Sequence, residues 1–174
     1  MIGVIGAGAM GAAMTVQLAR AGHSVHLLAT EFDGAFVDAY RAGENHPSLG
    51  VAFPDGLTMV EQDGWDEVLP KAEVLVLAVA TAGLVPTVRA IAKQTPGDCV
   101  WAVATKGWDE ESLMPATGVV ATELGRPLDR ERDRHRRSDG RRVRVLEPAV
   151  RSDRRRALRL RALPHLHIER CRRG

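Results

Sequence analysis

Short apolar runs alternate with stretches rich in helix formers along roughly the first hundred residues. Residues 1–6, MIGVIG, are an apolar run closed by glycine, which predicts a strand. Residues 7–22, AGAMGAAMTVQLARAG, predict a helix that stops at Gly22, because glycine enters the left-handed region at little cost. HSVHLLA (23–29), LTMV (57–60), AEVLVLAVA (72–80) and CVWAVA (99–104) predict four further strands, and LVPTVRAIAKQ (84–94) predicts a second helix before the turn TPGD. Continuously apolar strands separated by helical segments belong to a parallel sheet covered on both faces. The predicted fold class is therefore α/β, a doubly wound sheet of Rossmann type.

Size and composition narrow this further. A chain of 174 residues, 45% hydrophobic, suffices for one domain with a real core and is too short for two. Its longest apolar stretch, VLVLAVATAGLVP from Val74, contains Gly and Thr and falls short of the roughly 18–20 residues that a membrane helix needs. No Lys or Arg precedes Arg20, whereas an export signal opens with a basic region. Cys99 and Cys171 lack metal-ligand spacing, so reduced thiols and a cytoplasmic location are expected.

Charge divides the chain in two. Seven basic and fifteen acidic residues precede Leu128, and seventeen basic, all arginine, and seven acidic residues follow from there. So abrupt a shift marks a boundary, placed between residues 126 and 127.

The chemistry is concentrated in GAGAMG, where Gly6, Gly8 and Gly11 have the G-x-G-x-x-G spacing between the first predicted strand and helix. Gly6 suits a tight turn, Gly8 a close approach of backbone to a pyrophosphate, and Gly11 close helix–strand packing, with phosphates on the helix N-terminus. Alone the pattern is compatible with a glycine-rich turn that binds nothing, but here it has the strand–helix context that dinucleotide binding requires. The expected cofactor is NAD or NADP. An acid at the end of the second strand would bond the ribose 2′-hydroxyl and repel a 2′-phosphate. LLATEFD places Thr30 at that tip and Glu31 one step beyond, with no Arg or Lys nearby. Glu31 as ribose ligand and Glu31 as solvated loop residue both remain open, and so does the choice of cofactor.

The segment ATKGWDEESLMPATGVVATELGRP, after the fifth predicted strand, resembles NAD(P)-dependent glycerol-3-phosphate dehydrogenase: a strand ending in Thr105, Lys106 and Gly107, then an acidic helix running to Glu-Leu-Gly. GENHPSLGVAFPDGLT, before LTMV, is similar to a loop of the same family. The resemblance covers about residues 1–126 and implies reduction of dihydroxyacetone phosphate to sn-glycerol 3-phosphate, or the reverse. It implies that the backbone amides of Ala9 and Met10 contact the cofactor diphosphate and that Thr30 lies near the adenosine ribose. It puts Ala80 beside the nicotinamide ribose, although Ala80 and Thr81 stand where the family usually has Val-Pro-Ser. Lys106 matches a lysine touching both cofactor and substrate phosphate.

Lys106 also has a case of its own. The carboxyl ends of parallel strands open onto the ligand crevice, and an ammonium group there pairs with a phosphate dianion. His23, His26 and His46 have no partner at metal spacing and are expected as scattered surface or half-buried residues, so no metal is predicted. Trp101 and Trp108 are expected in core and rim packing.

In the family, Glu-Leu-Gly leads to a strand, a Gly-Pro-Ser or Gly-Pro-Thr motif, and a helical second domain whose buried lysine protonates the substrate oxygen. This chain has no Gly-Pro, and residues 127–174 show no sustained period of 2 or 3.6. GC-rich codons for Ala-Val-Ala read one base off give Arg-Arg, so arginine without lysine is what a frameshifted hydrophobic segment leaves behind. The expectation is an aberrant or disordered Arg-rich tail, no catalytic residue in this chain, and a protein inactive as it stands. A basic arm that binds RNA is the competing explanation, weakened by the absence of aromatic residues for base stacking, so nucleic acid is not the expected partner; a small phosphorylated molecule is. The N-terminal domain of a ketopantoate-reductase-like enzyme is the other alternative, since it would carry the same fingerprint.

Overall fold

The computed structural model describes residues 1–125, together with the backbone of Leu128–Asp129 and Val143–Arg144. The expectations for the arginine-rich tail otherwise lie outside the described residues. The order of elements is β1 (Ile2–Ile5), α1 (Ala9–Arg20), β2 (Val25–Leu28), α2 (Gly34–Ala42), β3 (Thr58–Val60), α3 (Trp65–Val68), β4 (Val74–Leu77), α4 (Thr81–Ile91), β5 (Val100–Val103) and α5 (Ala116–Glu123). The two dipeptides beyond Gly125, β6 (Leu128–Asp129) and β7 (Val143–Arg144), pair in parallel.

β1 to β5 form one parallel sheet in the order β3-β2-β1-β4-β5, the doubly wound arrangement expected. The chain winds outward from β1 to β3, then returns to lay β4 along the other side of β1. That reversal opens a crevice at the carboxyl ends of β1 and β4. The register aligns those ends: Ile5 lies opposite Leu28 and Leu77, Leu28 opposite Val60, and Leu77 opposite Val103. The residues that leave the strands therefore emerge along one edge.

Alternation within each strand supplies a core on both faces. Ile5, Leu28, Leu75, Leu77, Trp101 and Val103 pack against Trp65, Leu84, Val88, Ile91 and Val120 from α3, α4 and α5. Ile2, Val4, Leu27, Val76 and Ala102 face Met14, Leu18, Phe36 and Val37 from α1 and α2. Removing a fully buried aromatic such as Trp101 costs about 3–5 kcal/mol. No helix among the described residues is long and apolar enough to cross a membrane.

Several limits differ from expectation for identifiable reasons. α1 ends at Arg20, and Gly22 follows at φ +85°, where its N–H bonds the Ala19 carbonyl while that of His23 bonds Leu18. Those two bonds complete a left-handed helix terminus. α4 begins at Thr81, three residues before the expected start, because Gly83 and Pro86 conceal helical periodicity without preventing it. α2 was not expected from the apolar pattern; it is closed by Gly43 at φ +69° and held to the loop before β3 by a 2.6 Å bond from the Tyr40 hydroxyl to the Leu57 carbonyl. The acidic helix implied by the resemblance is corrected: Asp109, Glu110 and Glu111 precede the helix, and only Glu123 of α5 is acidic. The Asp109 carboxylate accepts from the Ser112 amide at 2.8 Å and hydroxyl at 2.6 Å, and such local bonds compete with helix formation. Trp108, placed in rim packing by the sequence, is 66% exposed.

Candidate functional site

The turn from β1 to α1 distinguishes the three glycines. Gly6 adopts φ +101°, and a Cβ there would lie 2.7 Å from the Ala78 carbonyl oxygen. At Gly11 a Cβ would lie 1.8 Å from the Gly6 carbonyl oxygen, so any side chain would force α1 away from β1. Both glycines are needed by the fold itself. Gly8 is different: its backbone is ordinary, at φ –64° and ψ 178°, and nothing lies within 4 Å of a Cβ built there. Protein packing gives no reason for glycine at position 8, whereas a group resting on that backbone would. No protein partner among the described residues takes the Gly8 amide. The N–H groups of the first turn of α1 likewise have no acceptor within the helix.

Gly6 and Gly8 line a cleft of about 350 Å3 whose far wall is the end of β2 and whose floor is the β4–α4 turn. Thr30, Phe32 and Asp33 form the β2 side and Ala80 the β4 side. The sequence-predicted residues Gly6, Gly8, Thr30 and Ala80 are thus brought into one cavity. Ala9 and Met10 stand exposed at the first turn of α1, outside the lining, and Gly11 is buried beneath it.

The acid at the end of β2 is Asp33, which was not weighed from the sequence; Glu31 is exposed. Asp33 is 6% exposed, and its Oδ2 accepts from the Thr30 amide at 2.8 Å and the Thr30 hydroxyl at 2.7 Å. The Thr30–Asp33 pair closes a turn immediately before α2, and a Thr and an Asp three apart at a strand end were the available signal. Committed to Asp33 as a donor, the Thr30 hydroxyl can only accept from anything else. Phe32, 75% exposed, stands on the lip of the same wall.

At the end of β5, the Thr-Lys-Gly sequence acts as a bracket. The Thr105 hydroxyl bonds the Val79 carbonyl at 2.9 Å, the Thr81 hydroxyl bonds the Lys106 carbonyl at 2.8 Å, and Gly107 turns away at φ +101°. Lys106 is exposed and forms no ion pair with the described residues. It does not line the cleft, but its backbone is fastened to the β4–α4 turn that does.

His46, expected at the surface or half buried, is 1% exposed. It lies in the loop between α2 and β3, with its Nε2 2.8 Å from the Ala7 carbonyl oxygen inside the glycine turn.

A doubly wound sheet with a glycine turn, open backbone at Gly8 and an acid at the end of β2 defines a dinucleotide-binding domain, and these residues fit such a cofactor. A match to the family described as NAD-dependent glycerol-3-phosphate dehydrogenase N-terminus covers residues 1–129. The chain belongs to that family. It is 36% identical over 91 residues to the NADP(+)-dependent glycerol-3-phosphate dehydrogenase of Archaeoglobus fulgidus, covering 52% of this chain and 27% of that protein. To the glycerol-3-phosphate dehydrogenase [NAD(P)+] of Halorhodospira halophila it is 34% identical over 113 residues, 64% of this chain and 32% of the other. The crystal structure of glycerol-3-phosphate dehydrogenase from Coxiella burnetii superimposes with a TM-score of 0.61 at 27% identity, covering 72% of this chain and 38% of that one. The chain spans about a third of the length of these relatives. Family membership sets aside the ketopantoate-reductase alternative.

Proposed function

We propose that residues 1–125 form the cofactor half of an NAD(P)-dependent glycerol-3-phosphate dehydrogenase, interconverting dihydroxyacetone phosphate and sn-glycerol 3-phosphate. The observation that carries this reading is Gly8, a glycine that the fold does not need, with open space above it and an amide left without a partner. The bound nicotinamide supplies or takes up the hydride. The amides from Gly8 to Met10 hold the diphosphate at the positive end of α1. Phe32 covers the adenine, and Asp33 receives the ribose hydroxyl. Lys106, at the end of β5, pairs with the substrate phosphate. The proton that the substrate oxygen requires comes from a group outside residues 1–125.

Asp33 favours NAD within this reading. A 2′-phosphate would meet a carboxylate that is already pinned by Thr30 and cannot swing away, and no Lys or Arg lines the cleft to offset it.

Titration of NADH into the full 174-residue chain tests the assignment, with binding expected for the wild type and lost in Gly8→Val. Equal affinity for the two proteins, or no binding by a folded wild type, overturns it.

A further inference from the structure

His46 lies 39 residues from the turn it touches and is held from every side. Its ring stacks on Phe36 of α2 at a centroid distance of 4.8 Å and an interplanar angle of 16°, and Phe53 leans on it at 5.4 Å. Its own backbone closes the loop: its amide donates to the Val51 carbonyl at 2.8 Å, and its carbonyl accepts from Gly50 at 2.8 Å. The Ser48 amide points at Nδ1, 3.2 Å away. A backbone N–H only donates, so Nδ1 accepts and the ring proton resides on Nε2, which then donates to the Ala7 carbonyl.

The Ala7 carbonyl and the Gly8 amide are two edges of one planar peptide and point in opposite directions. Holding the carbonyl against a buried ring therefore fixes the Gly8 N–H on the opposite side, toward the cleft that Gly8 lines. We infer that His46 is a positioning residue for the diphosphate seat, aiming the Gly8 amide through its Nε2–H bond to Ala7. The inference rests on the cofactor reading above and deepens it. α2 joins the two ends of the site, since Asp33 immediately precedes its start at the ribose end and Phe36, one turn later, braces His46 at the phosphate end.

Two substitutions separate the two ring nitrogens. In His46→Gln the side-chain amide reaches to about where Nε2 stood and can still donate to Ala7. In His46→Asn the side chain keeps an acceptor for Ser48 and is too short for Ala7. The test uses the full chain, with adenosine, ADP-ribose and NADH as probes, well below the lowest melting temperature found by circular dichroism. His46→Asn should weaken ADP-ribose and NADH by about tenfold, the scale of one well-placed hydrogen bond, and leave adenosine unchanged. His46→Gln should stay within about threefold of wild type for all three probes. A merely structural role would weaken adenosine along with ADP-ribose, or place Gln and Asn together, and either result overturns the inference. A substitution-free measurement covers the case in which a variant does not fold: nitrogen NMR of the wild-type imidazole should show the proton on Nε2, and a proton on Nδ1 overturns the inference. Wild type that binds ADP-ribose while His46→Asn binds it equally well removes the role of His46 alone. A folded wild type that binds none of the probes removes the cofactor reading and this inference together.

Discussion

The glycine turn after β1 and the segment after β5 stand on one sheet edge, with the end of β4 between them, and are built in opposite ways. The first is enforced by the core: Gly6 and Gly11 touch backbone, Ala7 is fully buried, and His46 closes over it. The second, residues 105–115, is fastened at its root by Thr105 and Thr81 and beyond that mainly bonds to itself, through Asp109 with Ser112 and a bridge between Trp108 and Pro115. The glycine turn is overdetermined by packing, whereas Lys106, proposed above to meet the substrate phosphate, is exposed. Substitutions in the first region should therefore register as stability unless they fall on Gly8, and substitutions in the second should register as binding.

The largest break of this contrast is expected at Gly11. Gly11→Ala places a methyl inside the Gly6 carbonyl and should lower unfolding free energy by about 3 kcal/mol or more in a urea melt. Gly8→Ala should change it by less than about 0.5 kcal/mol. Comparable losses at the two glycines would mean that the turn is not divided between fold and ligand as described.

Next is Lys106→Ala, which should leave the melting temperature unchanged. Binding of glycerol 3-phosphate to the NAD-loaded chain should fall about tenfold to a hundredfold, the range for a lost charged hydrogen bond. A lowered melting point with unaltered phosphate binding would instead make the lysine part of the bracket. At the β2 end, Asp33→Asn should raise NADPH affinity relative to NADH by about tenfold, as the amide removes repulsion while still able to accept from Thr30. An unchanged ratio argues that discrimination resides elsewhere.

The smallest effect is expected outside the site. Arg89 forks onto Glu123 at 2.7 and 2.9 Å, tying α4 to α5, and that bond holds the Glu123 carboxyl below its usual range. A carboxyl depressed in the folded state adds stability above its unfolded value, and the contribution is lost as pH falls through the folded one. Glu123→Gln should lower the melting temperature slightly at neutral pH and converge on the wild type at acid pH, so that this part of the acid-side loss disappears.

The sheet was legible because its central strands are buried on both faces, and Ile5, Leu77 and Val103 belong to apolar runs. The glycine spacing was legible for the same reason that it is enforced, since only glycine fits at 6 and 11. Helix α2 was hidden because its signals are an Asp at the cap and a Gly at each end, with apolar Phe36 and Val37 too few to show a period. The acidic stretch 109–111 invited helix, but side chain-to-backbone bonds of Asp109 took the local hydrogen-bonding capacity. His46 could not be located from spacing, because its partner Ala7 lies across the fold and only tertiary structure joins them. Asp33 carried a local signal in Thr30-x-x-Asp33, overshadowed by the more conspicuous Glu31.

The exposed indole of Trp108 has an optical consequence. The chain contains three tryptophans, of which Trp65 and Trp101 are 4% and 0% exposed in the core while Trp108 is 66% exposed two positions beyond Lys106. An aqueous quencher should silence the solvated indole first, leaving the blue-shifted buried pair to report melting of the sheet. The unlabelled protein thus contains two separable classes of fluorophore, the buried pair watching the fold and Trp108 watching the approach to Lys106.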